Sequence, residues 1–261
     1  MATARPHVPE RPDSLRLAPC TPRRDVGLMC DLDGLSLDTV LPQHVVYQRI
    51  LLEYFGIETT PLDFDWTVGA CGRETIHGFT ERYGRAEIRP PHTLSPGESI
   101  GQKIVGRLLE IRRPQEQALI DVGTMPHLPE LLDFADAANL ARSSSTSRPE
   151  KDAFELLTGT GLARRFDVIV GKDSEGVSHP KPAPDIFRRS AELLGIRIAD
   201  SWALEDSTPG VKAAREAGAK VLYIPDSRVA NPCPTARRLA THTESSLERA
   251  IPFLQRNLGM E

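Results

Sequence analysis

Short apolar runs separated by longer amphipathic stretches dominate the second half of the chain. Residues 25–30 (DVGLMC), 166–171 (FDVIVG), 201–206 (SWALED) and 220–226 (KVLYIPD) are each bounded by Gly, Pro or Asp. Continuous rather than alternating apolar runs of this kind are the pattern of strands covered on both faces, as in parallel sheets. Helical periodicity lies between them. One helix is predicted to begin at Ser147, whose spacing to Glu150 matches a capping box, and to stop at Gly159 and Gly161. A second spans 184–194 and stops at Gly195. A third starts after Ser207, with Pro209 in its first turn, and stops at Gly218. Strand and helix alternate, which predicts an α/β fold with a Rossmann-like, doubly wound parallel sheet and right-handed crossovers.

The stretch from about residue 42 to 118 breaks this alternation. Helical patterns cover 44–55, 72–83 and 100–117 without a convincing strand, and three prolines between 89 and 97 mark a loop. It reads as a helical cap inserted after the first strand. The domain organisation expected is therefore an α/β core from 25–41 and 119–261, with the cap at 42–118. Residues 1–24 are rich in Pro and Arg and lack an apolar centre, so they read as a disordered extension rather than a secretory signal. After residue 226 come a Pro-rich turn, a polar stretch with room for one edge strand, and a helix over 245–255.

Bulk properties narrow the classes. A chain of 261 residues with net charge −4 and no basic stripe does not look like a nucleic-acid binder. No apolar run approaches the ~18 residues of a membrane span. Cys20, Cys30, Cys71 and Cys233 are scattered without a CxxC pair, which speaks against structural zinc and for free thiols in a cytoplasmic protein. A monomer or weak dimer is expected.

The most informative chemistry follows the first predicted strand, at Asp31-Leu-Asp-Gly-Leu-Ser-Leu-Asp38. Ligands of open α/β sheets bind at the carboxyl ends of strands. Two carboxylates two residues apart can divide the work there, one holding a metal and attacking phosphorus, the other moving protons. Gly34 lets the backbone turn sharply beside them.

Three further motifs follow in order: Ser143-Ser144-Ser145, Pro180-Lys-Pro-Ala-Pro-Asp-Ile-Phe187, and Leu204-Glu-Asp-Ser207. Together the four resemble the haloacid dehalogenase superfamily, in its branch of phosphatases and β-phosphoglucomutase-like proteins with a helical cap. That resemblance implies a phosphatase for a small phosphorylated metabolite, a sugar phosphate or a nucleotide or nucleoside phosphate. Asp31 would be the nucleophile and Asp33 the acid and base. Lys181 would neutralise charge, and Ser143 and Ser144 would hold phosphate. Mg²⁺ would be bound through Asp31, Asp33, Glu205 and Asp206. Arg73, in Val68-Gly-Ala-Cys-Gly-Arg-Glu-Thr75, resembles the cap loop that selects substrate in relatives. His44, Tyr47 and His77 are further pocket candidates.

Asp33 argues against the dehalogenating members, which lack an acid there because a halide leaves without protonation. The sugar-phosphate mutases carry a His four residues after the motif's Thr, where this chain has Gln43. The wording DGLSLDT and the stretch Asp173 to His179 resemble the nucleotide- and pseudouridine-phosphate phosphatases. One segment departs from the family pattern. Relatives have an apolar strand before the Ser motif, but residues 137–142 read AANLAR and follow a predicted helix at 128–138 almost directly. Either the strand is very short or the helix end unwinds. A mutase and a degenerate phosphate-binding regulator therefore stand beside the phosphatase reading.

Overall fold

The structure is a computed structural model. It describes residues 25–60, 72–84, 123–226 and 233–259, with scattered positions from 87 to 110. The predicted N-terminal extension and most of the third cap helix lie outside the described residues.

Six strands form one parallel sheet: β1 (Gly27–Cys30), β2 (Ala141–Ser145), β3 (Val168–Val170), β4 (Trp202–Glu205), β5 (Lys220–Tyr223) and β6 (His242–Thr243). Their order across the sheet is β3-β2-β1-β4-β5-β6. The chain builds outward from β1 in one direction and then restarts from β4 in the other. The crevice where this reversal occurs, outside the carboxyl ends of β1 and β4, is where such sheets take ligands.

Helices cover both faces. On one side, α3 (Leu128–Ala137), α4 (Glu150–Gly159) and α8 (Leu247–Asn257) close over a core of Leu28, Leu131, Leu157, Leu204 and Leu254. On the other, α5 (Asp185–Leu194) and α6 (Thr208–Ala217) pack Phe187, Val211 and Ala214 against Met29, Ala203 and Val221. A short α7 (Pro234–Leu239) adds Ala236 to that second core. Successive residues of β1 thus serve opposite cores, Leu28 and Cys30 on one face and Met29 on the other. A two-sided strand needs no polar alternation, which is why its sequence shows none.

The glycine stops behave as their chemistry requires. Gly195 and Gly218 close α5 and α6 at φ 66° and 94°, in the left-handed region. Ser207 caps α6 by accepting from the Gly210 N–H at 3.1 Å. The capping box expected at Ser147 and Glu150 does not form. Pro149 occupies the N-cap of α4, and the Glu150 N–H is taken instead by Asp173 Oδ1 at 2.7 Å. A local pairing rule lost here to a tertiary partner.

The departure before the Ser motif resolves into a short strand. The chain leaves α3 through Asn139, at φ 52°, with the Leu140 N–H bonding back to Ala135 O. This left-handed exit turns the chain within three residues. All five residues of β2 are buried, Arg142 among them. Its guanidinium bonds Leu132 O at 3.1 Å and Asp136 Oδ1 at 2.5 Å, while its N–H takes Asp167 Oδ2. The charged residue is accommodated because α3 supplies acceptors, a mid-helix carbonyl and the Asp136 carboxylate.

Between β1 and α3, α1 (Val40–Ile50) runs into one wide helical turn at Leu51–Phe55, and α2 (Gly72–Arg82) follows. These helices share their own apolar cluster, with Ile50, Phe55, Phe79 and Ile104 buried in it. The first cap helix starts at Val40, ahead of the expected boundary at 42.

Candidate active site

The sheet register levels the functional groups. Cys30 is paired with Ser144 on one side and with Leu204 on the other. The next residues, Asp31, Ser145 and Glu205, therefore emerge at one height from three adjacent strands. The ladder extends to this level, since the Asp31 N–H donates to Leu204 O at 3.0 Å.

Lys181 binds all three. Its Nζ lies 2.5 Å from Asp31 Oδ1, 2.5 Å from Glu205 Oε1 and 2.7 Å from Ser145 O. The same ammonium sits 4.9 Å above the Phe187 ring. Its loop is tied down where Asp185, opening α5, accepts the Ser178 and His179 N–H groups at 3.0 Å each. Burial alone would lower the Lys181 pKa, but the two carboxylates outweigh it and raise it. The group is a permanent cation.

Asp31, Glu205 and Asp206 form a buried acidic group in which one oxygen from each lies within 4.8 Å of the others. Burial, then Lys181 in opposition, then the Glu205 and Asp33 charges leave the Asp31 carboxyl pushed up to about 7. Burial and the neighbouring Asp31 and Glu205 raise Asp206 well above the usual carboxylate range. Asp206 Oδ1 is a buried acceptor without a hydrogen-bond partner. Three carboxylates facing one ammonium leave a deficit matching a divalent cation, and an all-oxygen donor set suits a hard one. The residues fit a metal.

Glu205 is locked in place by the start of α6. Ser207 Oγ donates to its Oε2 at 3.0 Å. A Cβ on Gly210 would fall 2.0 Å from the Glu205 carboxylate, so only glycine admits the side chain here.

Asp33 is placed differently from the other three carboxylates predicted to hold metal. Arg148 grips it: Nε lies 2.9 and 2.7 Å from its two oxygens, and Nη2 lies 2.6 Å from Oδ1. Burial would raise the Asp33 carboxyl, but the Arg148 charge and hydrogen bonds hold it below the usual range. Arg148 was not among the residues singled out from sequence. Its neighbours Ser147, Pro149 and Glu150 read as a helix cap, and that reading absorbed it.

Ser143 and Ser144 lie inside β2, fully buried and short of its end. The Ser143 hydroxyl bonds Ser145 Oγ at 2.9 Å, which bonds Ser190 Oγ of α5 at 2.7 Å. The residue level with Asp31 is Ser145, two positions later than the motif suggested. A run of identical serines carries no periodicity from which to set that end. Arg73 lies in the first turn of α2, His44 in α1. His77, also in α2, pairs with Glu81 at 3.5 Å on an exposed face, and Tyr47 packs against the cap cluster.

Residues 28–224 match the family model described as haloacid dehalogenase-like hydrolase. The chain belongs to this family. It is 39% identical over 244 residues to a Drosophila melanogaster protein named "Probable pseudouridine-5'-phosphatase", covering 91% of this chain and 95% of that one. It is 34% identical over 197 residues to the "Phosphorylated carbohydrates phosphatase" of Thermotoga maritima, covering 76% and 83% respectively. In fold it is similar to a β-phosphoglucomutase from Clostridium difficile, with TM-score 0.68 and 19% identity over 89% of this chain and 96% of that one.

Proposed function

We propose that the protein is a magnesium-dependent phosphatase acting on a small phosphorylated metabolite through an aspartyl-phosphate on Asp31. The observation that carries this reading is the buried group of Asp31, Glu205 and Asp206 with Lys181 between them, at the switch point of the sheet. The two phosphatase relatives support the reaction class. The agreement along nearly the whole chain with the relative named "Probable pseudouridine-5'-phosphatase" favours a nucleoside or sugar monophosphate.

Asp31, Glu205 and Asp206 would hold the cation, which when bound would offset the charge of the phosphate facing a carboxylate nucleophile. Lys181 supplies the fixed positive charge on the protein side. The strand end at Ser145 and Thr146, level with Asp31, is the place for the phosphate oxygens, rather than Ser143 and Ser144. The Asp31 carboxylate oxygen attacks phosphorus, and the bond from phosphorus to the substrate alcohol breaks. Asp33 gives its proton to the departing oxygen. In the second half, Asp33 takes a proton from water, whose oxygen replaces Asp31 on phosphorus and releases phosphate. The incoming phosphate adds negative charge beside Asp33, which favours the protonated form that donation requires. The helices built around Ile50 and Phe79 would cover the pocket as a cap and bring Arg73 toward the leaving group.

The test is hydrolysis of p-nitrophenyl phosphate with and without magnesium, wild type beside Asp31→Asn, followed by a panel with pseudouridine 5'-phosphate and sugar phosphates. Magnesium-dependent turnover that disappears in Asp31→Asn supports the reading. Transfer of the phosphoryl group to a sugar hydroxyl instead of water would make the protein a mutase. A folded protein inert on the whole panel would sink the phosphatase reading.

A further inference from the structure

Arg148 stands on an unusually constrained piece of backbone. Its N–H bonds Thr146 Oγ1 at 3.1 Å, and its carbonyl accepts the Lys172 N–H at 2.9 Å. A Cβ on Gly171 would lie 2.7 Å from Arg148 O and 2.4 Å from Glu150 N, so the loop after β3 touches this backbone directly. Ser174 stitches the contact by accepting the Gly171 N–H at 2.9 Å and donating to Glu150 Oε2. The start of α4 and the loop after β3 thus form one platform, and the guanidinium projects from it. The side chain is 4% exposed and closes on both oxygens of Asp33. Paired planar N–H groups fix a carboxylate in orientation as well as position.

We infer that Arg148 is the positioning residue of the reaction, setting the Asp33 carboxylate for proton transfer to and from the alcohol and the water. The inference rests on the phosphatase reading. It assigns Arg148 a role reached through Asp33, not through a grip on the substrate.

The experiment is first-turnover release of alcohol, measured with p-nitrophenyl phosphate and with an alkyl phosphate from the panel. Nitrophenolate leaves without a proton, whereas an alkoxide needs one. With Arg148→Met, first-turnover release from the alkyl ester should fall about 10²-fold, the scale of a small misplacement of a reacting group. Release from p-nitrophenyl phosphate should change by less than about tenfold, and KM should hold. Arg148→Lys should recover part of the loss. In an Asp33→Asn background, Arg148→Met should add almost nothing, because there is no acid left to place. Gly171→Ala, which keeps the guanidinium but displaces its platform, should show the same dependence on leaving group.

Equal losses on both esters, a raised KM, or additive losses in the double variant would overturn the inference while leaving the phosphatase reading intact. Wild type without any Asp31-dependent turnover would overturn both. Melting temperatures of the singles and the double guard against misfolding. Losses that fail to add mark the pair as real, and additive losses count against it.

Discussion

The Nζ of Lys181 lies 2.5 Å from Oδ1 of Asp31, the carboxylate that would attack phosphorus in the proposed reaction. The contact makes Lys181 a counter-charge and a brake at once. In the proposed reaction, substrate phosphate would have to share this ammonium before Asp31 could attack.

Lys181→Met should therefore cost more than the loss of one donor. Removing a donor aimed at developing charge typically lowers kcat about 10²- to 10³-fold. It also leaves Asp31 and Glu205 buried without their partner, where breaking a buried pair costs about 3–5 kcal/mol. The expected outcome is a kcat reduced by at least 10²-fold, together with a melting temperature depressed in EDTA and largely restored by magnesium. Steady-state kinetics and thermal melts with and without the metal check both halves.

Gly210→Ala tests the metal site from behind. The new methyl would overlap the Glu205 carboxylate, which has no exposed direction in which to retreat. Apparent magnesium affinity should weaken by about 10- to 100-fold, the usual cost of losing a group that orients a ligand. A magnesium titration of activity measures this, and an unchanged midpoint would show that Glu205 is not a ligand.

The metal-free protein should lose stability as pH rises. The Asp31 carboxyl, at about 7 in the folded state against 3.8 ordinarily, keeps a proton that the unfolded chain has already released. Stability from that proton is complete below the unfolded value and declines as pH climbs toward 7. Asp206 is displaced in the same direction. Asp33, held low by Arg148 against its burial, has the opposite sign, and its contribution disappears only in acid below the ordinary carboxylate value. Melts in EDTA between pH 4 and pH 8 should show a decline that is shallower in Asp31→Asn and is suppressed by magnesium in the wild type.

Arg142→Met should be tolerated. The guanidinium is buried in β2, but its acidic partner Asp136 is half exposed and also pairs with Arg165 at 3.2 Å. Replacing a whole buried ion pair by apolar groups is often neutral or stabilising by about 1–4 kcal/mol, and the carboxylate left alone here is half exposed to water rather than buried. Activity should be unchanged and the melting temperature equal or higher. A large loss would mean that the ion pair holds the turn between α3 and β2.

Much of this architecture could be read from the chain. The strands around Met29, Ala203 and Val221 were visible because burial on both faces leaves uninterrupted apolar runs. The helix ends at Gly195 and Gly218 were visible because only glycine enters the left-handed region freely. The four carboxylates were found as motifs at strand ends, and Lys181 as a motif in the loop that leads into α5. What escaped was non-local. β2 carries Arg142 and three serines, and only its pairing with Cys30 and Val168 makes it a strand. The phosphate-holding hydroxyl was consequently expected at Ser143, whereas the residue level with Asp31 is Ser145. Arg148 is 115 residues from Asp33, and nothing near it in sequence announces the partner.

Asp31, Ser145 and Glu205 rise from neighbouring strands, and neighbouring strands stand about 4.8 Å apart wherever their hydrogen bonds are intact. The backbone ladder is thus a ruler for the chemistry. Spacing between Asp31, Ser145 and Glu205 is a property of peptide geometry, indifferent to which apolar side chains fill the two cores beneath. Mutational drift in those cores can change how firmly the protein is folded without altering the span that a phosphate would bridge in the proposed reaction. New substrates would then be acquired by altering the helices above, with the measuring edge left as it is.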